Sequence, residues 1–333
     1  MSSIEPAISV VVPTFNRCER LHRVLTSLAN QEVAADYEVI VVSDGSTDGT
    51  DEYLRSEQLP LPVVAVTQEN QGPAATRNHG VQRARGRLIL FLDDDVVADP
   101  GLLQAHLDAH ARFDGGVVVI GPMLDPPDHA MTSWVVWEQR MLAKQYQAME
   151  KGKYAATARQ FYTGNASLLR ADFDAAGGFD SRFRRAEDVE LAFRLDDNGL
   201  AFRYEPRAVG LHYAERSHEA WIDTARVYGH NDVVFARDLG HRFIYGVIRE
   251  SYSAHHFTLR VLTQLALASG PIDCFVTRRL AALVEAYPEG RRRKIMGYVL
   301  SAQYCLEYHR GVTEELGSVR DFRRLVIFRR SPS

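Results

Sequence analysis

Three consecutive aspartates, Asp93, Asp94 and Asp95, stand directly after the apolar stretch at residues 87–92. Carboxylates roughly 6 Å apart repel by about 3 kcal/mol at an effective dielectric constant near 20. That energy corresponds to about two pKa units per neighbouring carboxylate. A solvated turn is one explanation, since aspartate is a common turn residue. The other explanation is that a cation lies beside the aspartates and removes the repulsion.

The spacing of these carboxylates favours a site for a divalent metal ion. Side chains alternate along an extended strand, so Asp93 and Asp95 are predicted to face the same way, with Asp94 opposed. An Asp-x-Asp pair in a crevice suits Mg²⁺ or Mn²⁺, which keep open coordination positions for substrate phosphates. Such an ion would also stabilise the negative charge of a departing phosphate.

Short β-branched apolar runs alternate with amphipathic segments in the N-terminal part of the chain. The predicted strands cover residues 8–13, 38–46, 63–70, 87–92 and 117–121. Helices are predicted between them, most clearly from the spacing of Leu21, Val24, Leu25 and Leu28. This alternation predicts an α/β fold with a mostly parallel sheet covered by helices. Ligands bind such sheets at the carboxyl ends of the strands, where Asp44 and the three aspartates stand.

The rest of the chain is predicted to be mainly helical. Residues 131–153 and 186–199 have helical patterns, residues 201–213 read as extended, and long helical patterns run from about residue 216. The change in pattern predicts two domains, residues 1–215 and residues 216–333. The second of these is expected to be a helical subdomain.

Composition and charge exclude several classes of protein. The chain has 333 residues, of which 46% are hydrophobic, and this is an ordinary globular composition. A net charge of -4 gives no reason to expect nucleic-acid binding. Its three cysteines form neither a zinc pattern nor a disulfide framework. Because no signal peptide or apolar run of the ~20 residues that span a membrane is evident, a cytoplasmic protein is expected.

The C-terminal tail is basic. Five arginines, Arg320, Arg323, Arg324, Arg329 and Arg330, surround the apolar residues 325–328, and residues 291–294 read RRRK. The plain interpretation is a final helix whose apolar residues dock on the helical subdomain. The alternative is a peripheral contact with anionic lipid, or with a lipid-linked acceptor, at the inner face of the membrane.

No glycine-rich nucleotide loop follows the first strand, because PTFNR stands at residues 13–17 and no phosphate-loop motif occurs. Instead, seven motifs occur in order over residues 7–213: ISVVVPTFNR, EVIVVSDGSTDGT, ENQGPAATRNHG, LILFLDDDV, TGNASLLRADFDAAGGFD, AEDVELAFRL and LHY. In these motifs the sequence resembles the family 2 glycosyltransferases. The resemblance implies a GT-A fold in residues 1–215 and an inverting, metal-dependent sugar transfer. The implied donor is a nucleotide-diphospho-sugar, with a UDP- or dTDP-sugar favoured.

The resemblance also implies which residues bind the nucleotide. Pro13, Thr14 and Asn16 would line the nucleoside pocket. Asp44 would accept the imide N–H of a uracil or thymine, because an ionised carboxylate only accepts hydrogen bonds. Arg77 would lie near the base and the phosphates.

Metal binding and catalysis are assigned by the same resemblance. Asp93 and Asp94 would belong to the nucleotide site, with Asp93 toward the ribose, and Asp95 would bind Mn²⁺ or Mg²⁺. Asp188 of the Glu187–Asp188 pair would be the general base on the acceptor. His212 would be a further ligand of the metal or of a phosphate.

Each of these residues also has a plainer explanation. Asp44 could be a turn former, a Glu-Asp pair is favoured in the first turn of any helix by the macrodipole, and a lone histidine such as His212 is usually structural.

A nucleotidyltransferase, a donor-binding protein without catalysis, and a retaining transferase remain alternatives. The acceptor could be a glycan, a lipid-linked glycan, a peptide or a small molecule. The Gln-x-x-Arg-Trp motif of processive synthases is missing, so addition of a single sugar is expected.

Overall fold

The computed structural model describes residues 5–113, 116–286 and 293–328. Ten strands occur among these residues. In chain order they are Ile8–Thr14 (β1), Tyr37–Asp44 (β2), Val64–Gln68 (β3), Leu88–Leu92 (β4), Val96–Ala98 (β5), Val117–Ile120 (β6), Met123–Leu124 (β7), Asn165–Leu169 (β8), Ala201–Tyr204 (β9) and Gly210–His212 (β10). The predicted strand positions in the N-terminal part agree with β1 to β4 and β6 to within a few residues.

Helices connect these strands. In the first part of the chain they are Cys18–Ala29 (α1), Thr50–Leu54 (α2), Pro73–Arg83 (α3), Leu102–Ala111 (α4), Ser133–Glu150 (α5), Arg170–Ala175 (α6) and Glu187–Asp197 (α7), with a 3-10 helix at Ala158–Gln160. The predicted amphipathic pattern of α1 is confirmed, because Leu21, Val24, Leu25 and Leu28 are all buried.

The large sheet has seven strands in the order β3-β2-β1-β4-β8-β6-β9. Strands β3, β2, β1 and β4 run parallel, and β9 runs parallel to β6. Strand β8 alone is antiparallel to both of its neighbours, β4 and β6. A second sheet of three short strands has the order β5-β10-β7. The expected α/β fold with a mostly parallel sheet flanked by helices is therefore confirmed.

Apolar runs explain why the central strands form. Strands β1 and β4 are covered on both faces, and Val10, Val12, Leu88 and Leu90 are almost entirely inaccessible. Such continuous runs are typical of buried parallel strands. The ends of β1, β2 and β4 thus lie side by side, as the register of Val11 opposite Phe91 and Ile40 requires.

The C-terminal part is helical, as predicted. Its helices are His218–Arg237 (α8), Ile244–Ala254 (α9), Phe257–Ala268 (α10), Gly270–Ala286 (α11), Arg293–Leu316 (α12) and Val319–Val326 (α13). In the described part of the chain, no helix has the length and apolar character needed to cross a membrane.

The described chain forms two compact units. One contains residues 1–130 and 139–214, and the other contains residues 131–138 and 215–333. The start of α5 therefore packs with the helical unit, where the rings of Trp137 and Trp221 meet edge to face at 5.5 Å. Trp134 packs against the same cluster.

Candidate functional site

A pocket of about 390 Å³ opens at the carboxyl ends of the central strands. Six of the residues predicted to bind nucleotide line it: Pro13, Thr14, Asp44, Arg77, Asp93 and Asp94. Phe15, Arg17 and Arg184 also line it and were not predicted. The predicted metal ligands and the Glu187–Asp188 pair are not part of this lining, and their positions follow from ion pairs described below.

The turn after β1 is held in place by hydrogen bonds of Asn16 to the turn after β2. Asn16 has a left-handed backbone, with φ of 52°, which asparagine tolerates better than most residues. Its Oδ1 accepts a hydrogen bond from the Thr47 N–H at 2.7 Å, and its own N–H donates to Ser46 Oγ at 3.0 Å. Asn16 thus ties the turn after β1 to the turn after β2. Phe15, which precedes it, is 46% exposed at the pocket.

Asp44, at the end of β2, is buried, and its carboxylate accepts hydrogen bonds from residues of the loop after β3 and from Gln68. Its Oδ1 accepts from Gln68 Nε2 at 2.7 Å and from the Gln71 N–H at 2.9 Å. Its Oδ2 accepts from the Gly72 N–H at 2.9 Å. A carboxylate has about four acceptor positions, so three of them are used here. The carboxylate therefore shapes the loop after β3 and retains capacity for about one further donor.

Arg77 joins the strand ends to helix α7. Its Nη2 lies 2.7 Å from Asp93 Oδ1, and its Nη1 lies 2.8 Å from Glu187 Oε1. The guanidinium is buried, and its Nε has no hydrogen-bond partner among the described residues. Helix α3 can hold Arg77 this deep because Gly80, one turn later, allows close approach to the sheet. A Cβ atom at Gly80 would lie 2.4 Å from Val11 Cγ1.

The three aspartates do not alternate as predicted. Strand β4 ends at Leu92, and the Val96 N–H bonds to the Asp93 carbonyl, so Asp94 and Asp95 lie in a turn. Arg17 Nη1 contacts Asp94 Oδ1 at 2.8 Å and Asp95 Oδ2 at 3.1 Å. Asp94 and Asp95 therefore share one cation, whereas Asp93 pairs with another arginine. The prediction that Asp93 and Asp95 face the same way, with Asp94 opposed, is wrong, because strand geometry does not extend past Leu92.

Arginines supply much of the positive charge that the adjacent carboxylates require. Arg17 and Arg77 contact all three aspartates, and Arg20 Nη1 lies 3.9 Å from Asp95 Oδ2. Burial nevertheless raises the pKa of Asp94 to about 6, while Arg17 acts in the opposite direction. Arg17 directly follows the PTFN motif and Arg20 lies three residues further along the chain, so their position next to the motif could have indicated both arginines.

Asp95 and His212 lie close together and could hold part of a metal's coordination sphere. His212 Nε2 is 3.6 Å from Asp95 Oδ1, a separation that two ligands about 2.1 Å from one ion can have. His212 Nδ1 contacts Gln139 Nε2 at 2.8 Å, and the direction of this bond depends on the histidine tautomer. No group of three histidine, cysteine or acidic side chains with metal-binding geometry occurs within residues 5–113, 116–286 and 293–328. The pair therefore fits an ion that takes its remaining ligands from phosphate oxygens and water.

Glu187 and Asp188 begin helix α7, directly after a strained residue. Ala186 has φ of 60°, which is uncommon for a residue with a Cβ atom and occurs often at functional sites. Glu187 pairs with Arg77, and Asp188 Oδ1 accepts from the Val189 N–H at 2.8 Å. Desolvation, together with the neighbouring Glu187, raises the pKa of Asp188 to about 7. A carboxylate with such a pKa suits general base catalysis near neutral pH.

Comparison with known proteins supports the expected family. The profile of glycosyl transferase family 2 matches residues 9–177, a segment that ends before Glu187. The validoxylamine A glucosyltransferase of Streptomyces hygroscopicus subsp. jinggangensis is 36% identical over 246 residues, which are 66% of this chain. The match covers 58% of that relative's length. The glycosyltransferase AglE of Haloferax volcanii is 36% identical over 219 residues, covering 64% of this chain and 69% of AglE.

A solved structure shares the fold. The mannosyltransferase PcManGT from Pyrobaculum calidifontis, in complex with GDP-Man and Mn²⁺, superposes with a TM-score of 0.60 at 18% identity. The superposition covers 92% of this chain and 88% of that one. At this identity the likeness concerns the fold, which is of the GT-A type with a helical C-terminal region. With its profile match and its relatives, the chain belongs to glycosyl transferase family 2.

Proposed function

We propose that the protein transfers a hexose from a nucleotide-diphospho-sugar to an acceptor, with inversion at the anomeric carbon. The contact between Arg77 and both Asp93 and Glu187 carries this proposal. This contact links the pocket to the start of helix α7. There Asp188, the residue after Glu187, has a pKa suited to a general base. The relative from Streptomyces hygroscopicus, named a glucosyltransferase, supports hexosyl transfer.

The nucleotide is proposed to lie along the pocket, from Thr14 and Asp44 to Asp93 and Asp94. Asp44 is proposed to favour a base with an imide N–H, so that a UDP- or dTDP-sugar is the donor. The remaining acceptor position of its carboxylate supports this choice. The fold does not decide the base, because PcManGT, of the same fold, was solved with GDP-Man. Asn16 has a supporting role in this proposal, because its side chain binds the turn after β2.

Asp95 and His212 are proposed to hold Mn²⁺ or Mg²⁺ together with the donor diphosphate. When bound, such an ion supplies electrostatic stabilisation of the departing diphosphate. Arg17 contacts Asp95 at 3.1 Å and is half-exposed, so its side chain has room to move when an ion binds.

Asp188 is proposed to remove the proton from the acceptor nucleophile during a single in-line displacement. The acceptor nucleophile attacks the anomeric carbon of the donor sugar, and the bond from this carbon to the diphosphate oxygen breaks on the opposite face. Asp188 keeps the proton, while Arg77 holds Glu187 and thereby fixes the start of α7. The missing processive motif supports addition of one sugar, and the acceptor class stays open among glycan, lipid-linked glycan, peptide and small molecule.

A thermal-shift panel of nucleotide-sugars, with and without Mn²⁺, tests the proposal. A ligand at a hundred times its dissociation constant stabilises by about 2.7 kcal/mol. We expect a UDP- or dTDP-sugar to raise the melting temperature more than a GDP- or ADP-sugar, and only with the metal. Equal shifts by UDP- and GDP-sugars would refute the role of Asp44. Stabilisation without any donor turnover would favour the alternative of a binding protein that has lost catalysis.

We also propose a cytoplasmic location with peripheral contact at the inner face of the membrane. All three cysteines are free, which supports a reducing compartment. In α13 the apolar Phe322, Leu325 and Val326 are buried, so they cannot enter lipid, but Ile327 and Phe328 are at least half exposed. Arg329, Arg330 and the side chains of residues 291–294 lie outside the described part of the chain.

Helix α10 adds an exposed apolar stripe beside this tail. Phe257, Val261 and Leu265 are 66%, 39% and 48% exposed at helical spacing, and Gln264 bonds to Arg323 of α13 at 2.9 Å. Flotation with anionic vesicles at low salt should recover the protein, and high salt should release it. Failure to float at low salt, or unchanged binding after deletion of residues 319–333, would refute the contact by the tail.

A further inference from the structure

The cations around the pocket are largely neutralised by carboxylates. Arg17 pairs with Asp94 and Asp95, and Arg77 pairs with Asp93 and Glu187. Asp44 adds a further carboxylate to the pocket lining, and Asp188, outside that lining, interacts electrostatically with Arg77 and Asp93. A diphosphate brings additional negative charge, and one divalent ion offsets only two charges. The pocket therefore needs another cation that is not already paired.

Arg184 satisfies this requirement. It lines the pocket and is exposed, and no carboxylate of the described residues pairs with it. Its neighbour Arg182 differs, because its guanidinium is held by Asp180 at 2.5 Å. Arg184 comes from the loop between Asp180 and α7, four residues before Asp188. The nucleotide pocket thus has a cation on the same loop that leads to the proposed base.

We infer that Arg184 binds the diphosphate of the donor and of the departing nucleotide, an inference that rests on the proposed function. A guanidinium offers a planar fork of N–H donors that matches phosphate oxygens. Binding of the diphosphate to Arg184 also fixes the loop that precedes the strained Ala186. Arg184 is then a specificity residue for diphosphates over nucleosides.

Calorimetric titration of Arg184→Gln tests this assignment. Wild type is first titrated with UDP, dTDP, GDP and ADP in the presence of Mn²⁺, and the best-bound of these is kept as the probe. Charge-assisted hydrogen bonds contribute about 1.5–3 kcal/mol, so the variant should bind this diphosphate roughly 10- to 100-fold more weakly. Binding of the corresponding nucleoside, which has no phosphate, should be unchanged. Arg184→Lys should lose less affinity than Arg184→Gln, because it keeps the charge.

Arg182→Gln is the matched control, because it removes the same charge from the same loop. It should bind the diphosphate like wild type. Equal diphosphate affinity in Arg184→Gln and wild type would overturn the inference while leaving the proposed function intact. An equal loss in Arg182→Gln would overturn it as well, since only the general charge of the loop would then matter. If wild type binds none of the four diphosphates, the proposed function and this inference both fail.

Discussion

Replacing Asp188 with asparagine is expected to stabilise the protein while it removes catalysis. Desolvation and Glu187 raise the pKa of Asp188 from 3.8 to about 7, so the folded state carries a disfavoured charge at higher pH. One pKa unit corresponds to about 1.4 kcal/mol, which sets an upper limit of about 4 kcal/mol. Because Glu187 titrates together with Asp188, we expect a net gain of about 2–3 kcal/mol. Asparagine keeps an Oδ1 acceptor for the Val189 N–H.

The gain in stability should depend on pH in a definite direction. Below a pH of about 4, Asp188 is protonated in both the folded and the unfolded state, so its ionisation costs nothing. As the pH rises toward 7, the unfolded state releases the proton first, and the folded state loses stability until its own pKa is passed. Urea unfolding of wild type and Asp188→Asn at pH 5 and pH 8 measures this difference. The advantage of the variant should be larger at pH 8.

Asp197→Asn is the control for this measurement. Asp197 is exposed at the far end of the same helix, so its replacement should not give a pH-dependent gain. Donor affinity of Asp188→Asn should remain, while transfer should fall by roughly 10²- to 10⁴-fold. An advantage of Asp188→Asn that is the same at both pH values would refute the raised pKa, and with it the physical basis for the base.

Three further perturbations address the proposed metal site, the arginine that contacts it and the packing beneath the pocket. Asp95→Asn should abolish the Mn²⁺ dependence of donor binding and leave the melting temperature nearly unchanged; metal-dependent binding at wild-type strength would contradict the metal assignment. Arg17→Gln frees Asp94 and Asp95 from their shared cation, so electron paramagnetic resonance should show tighter Mn²⁺ binding in the absence of nucleotide. Weaker Mn²⁺ binding would contradict the idea that Arg17 and the metal compete for these carboxylates. Gly80→Ala should lower the free energy of unfolding by about 1–3 kcal/mol through overpacking against Val11. Gly246→Ala is the control and should not, because a Cβ atom there would meet nothing closer than 3.8 Å. Equal effects of the two substitutions in thermal unfolding would refute this packing argument.

The sequence predicted the parts of the fold that local pattern determines. Strands β1, β2 and β4 are continuous apolar runs, and burial of such runs is a local property. Strand β8 was not predicted, because it carries Asn165 and Ser167, which look like loop residues. In the structure their side chains bond to the two ring nitrogens of His106 at 2.9 and 2.8 Å. These partners lie about sixty residues away, so no local pattern could indicate the strand.

The candidate site shows the same division. The motifs indicated which residues meet at the strand ends, and six of the seven residues predicted to bind nucleotide line the pocket. The orientation of Asp93, Asp94 and Asp95 could not be predicted, since it depends on where β4 ends and on Arg17. The contact of Arg77 with Glu187 joins residues 110 positions apart, and Arg184 reaches the pocket from a loop without a recognisable pattern.

Turnover of nucleotide-sugars by wild type and Asp188→Asn tests the central claim most directly. With Mn²⁺ and water as the acceptor, NMR detects both the released nucleoside diphosphate and the anomeric configuration of the sugar as it first forms. We predict that wild type releases the diphosphate from a UDP- or dTDP-sugar with inverted configuration, and that Asp188→Asn does so at least about a hundredfold more slowly. Retained configuration, release by Asp188→Asn at the wild-type rate, or no release from any donor would contradict the account.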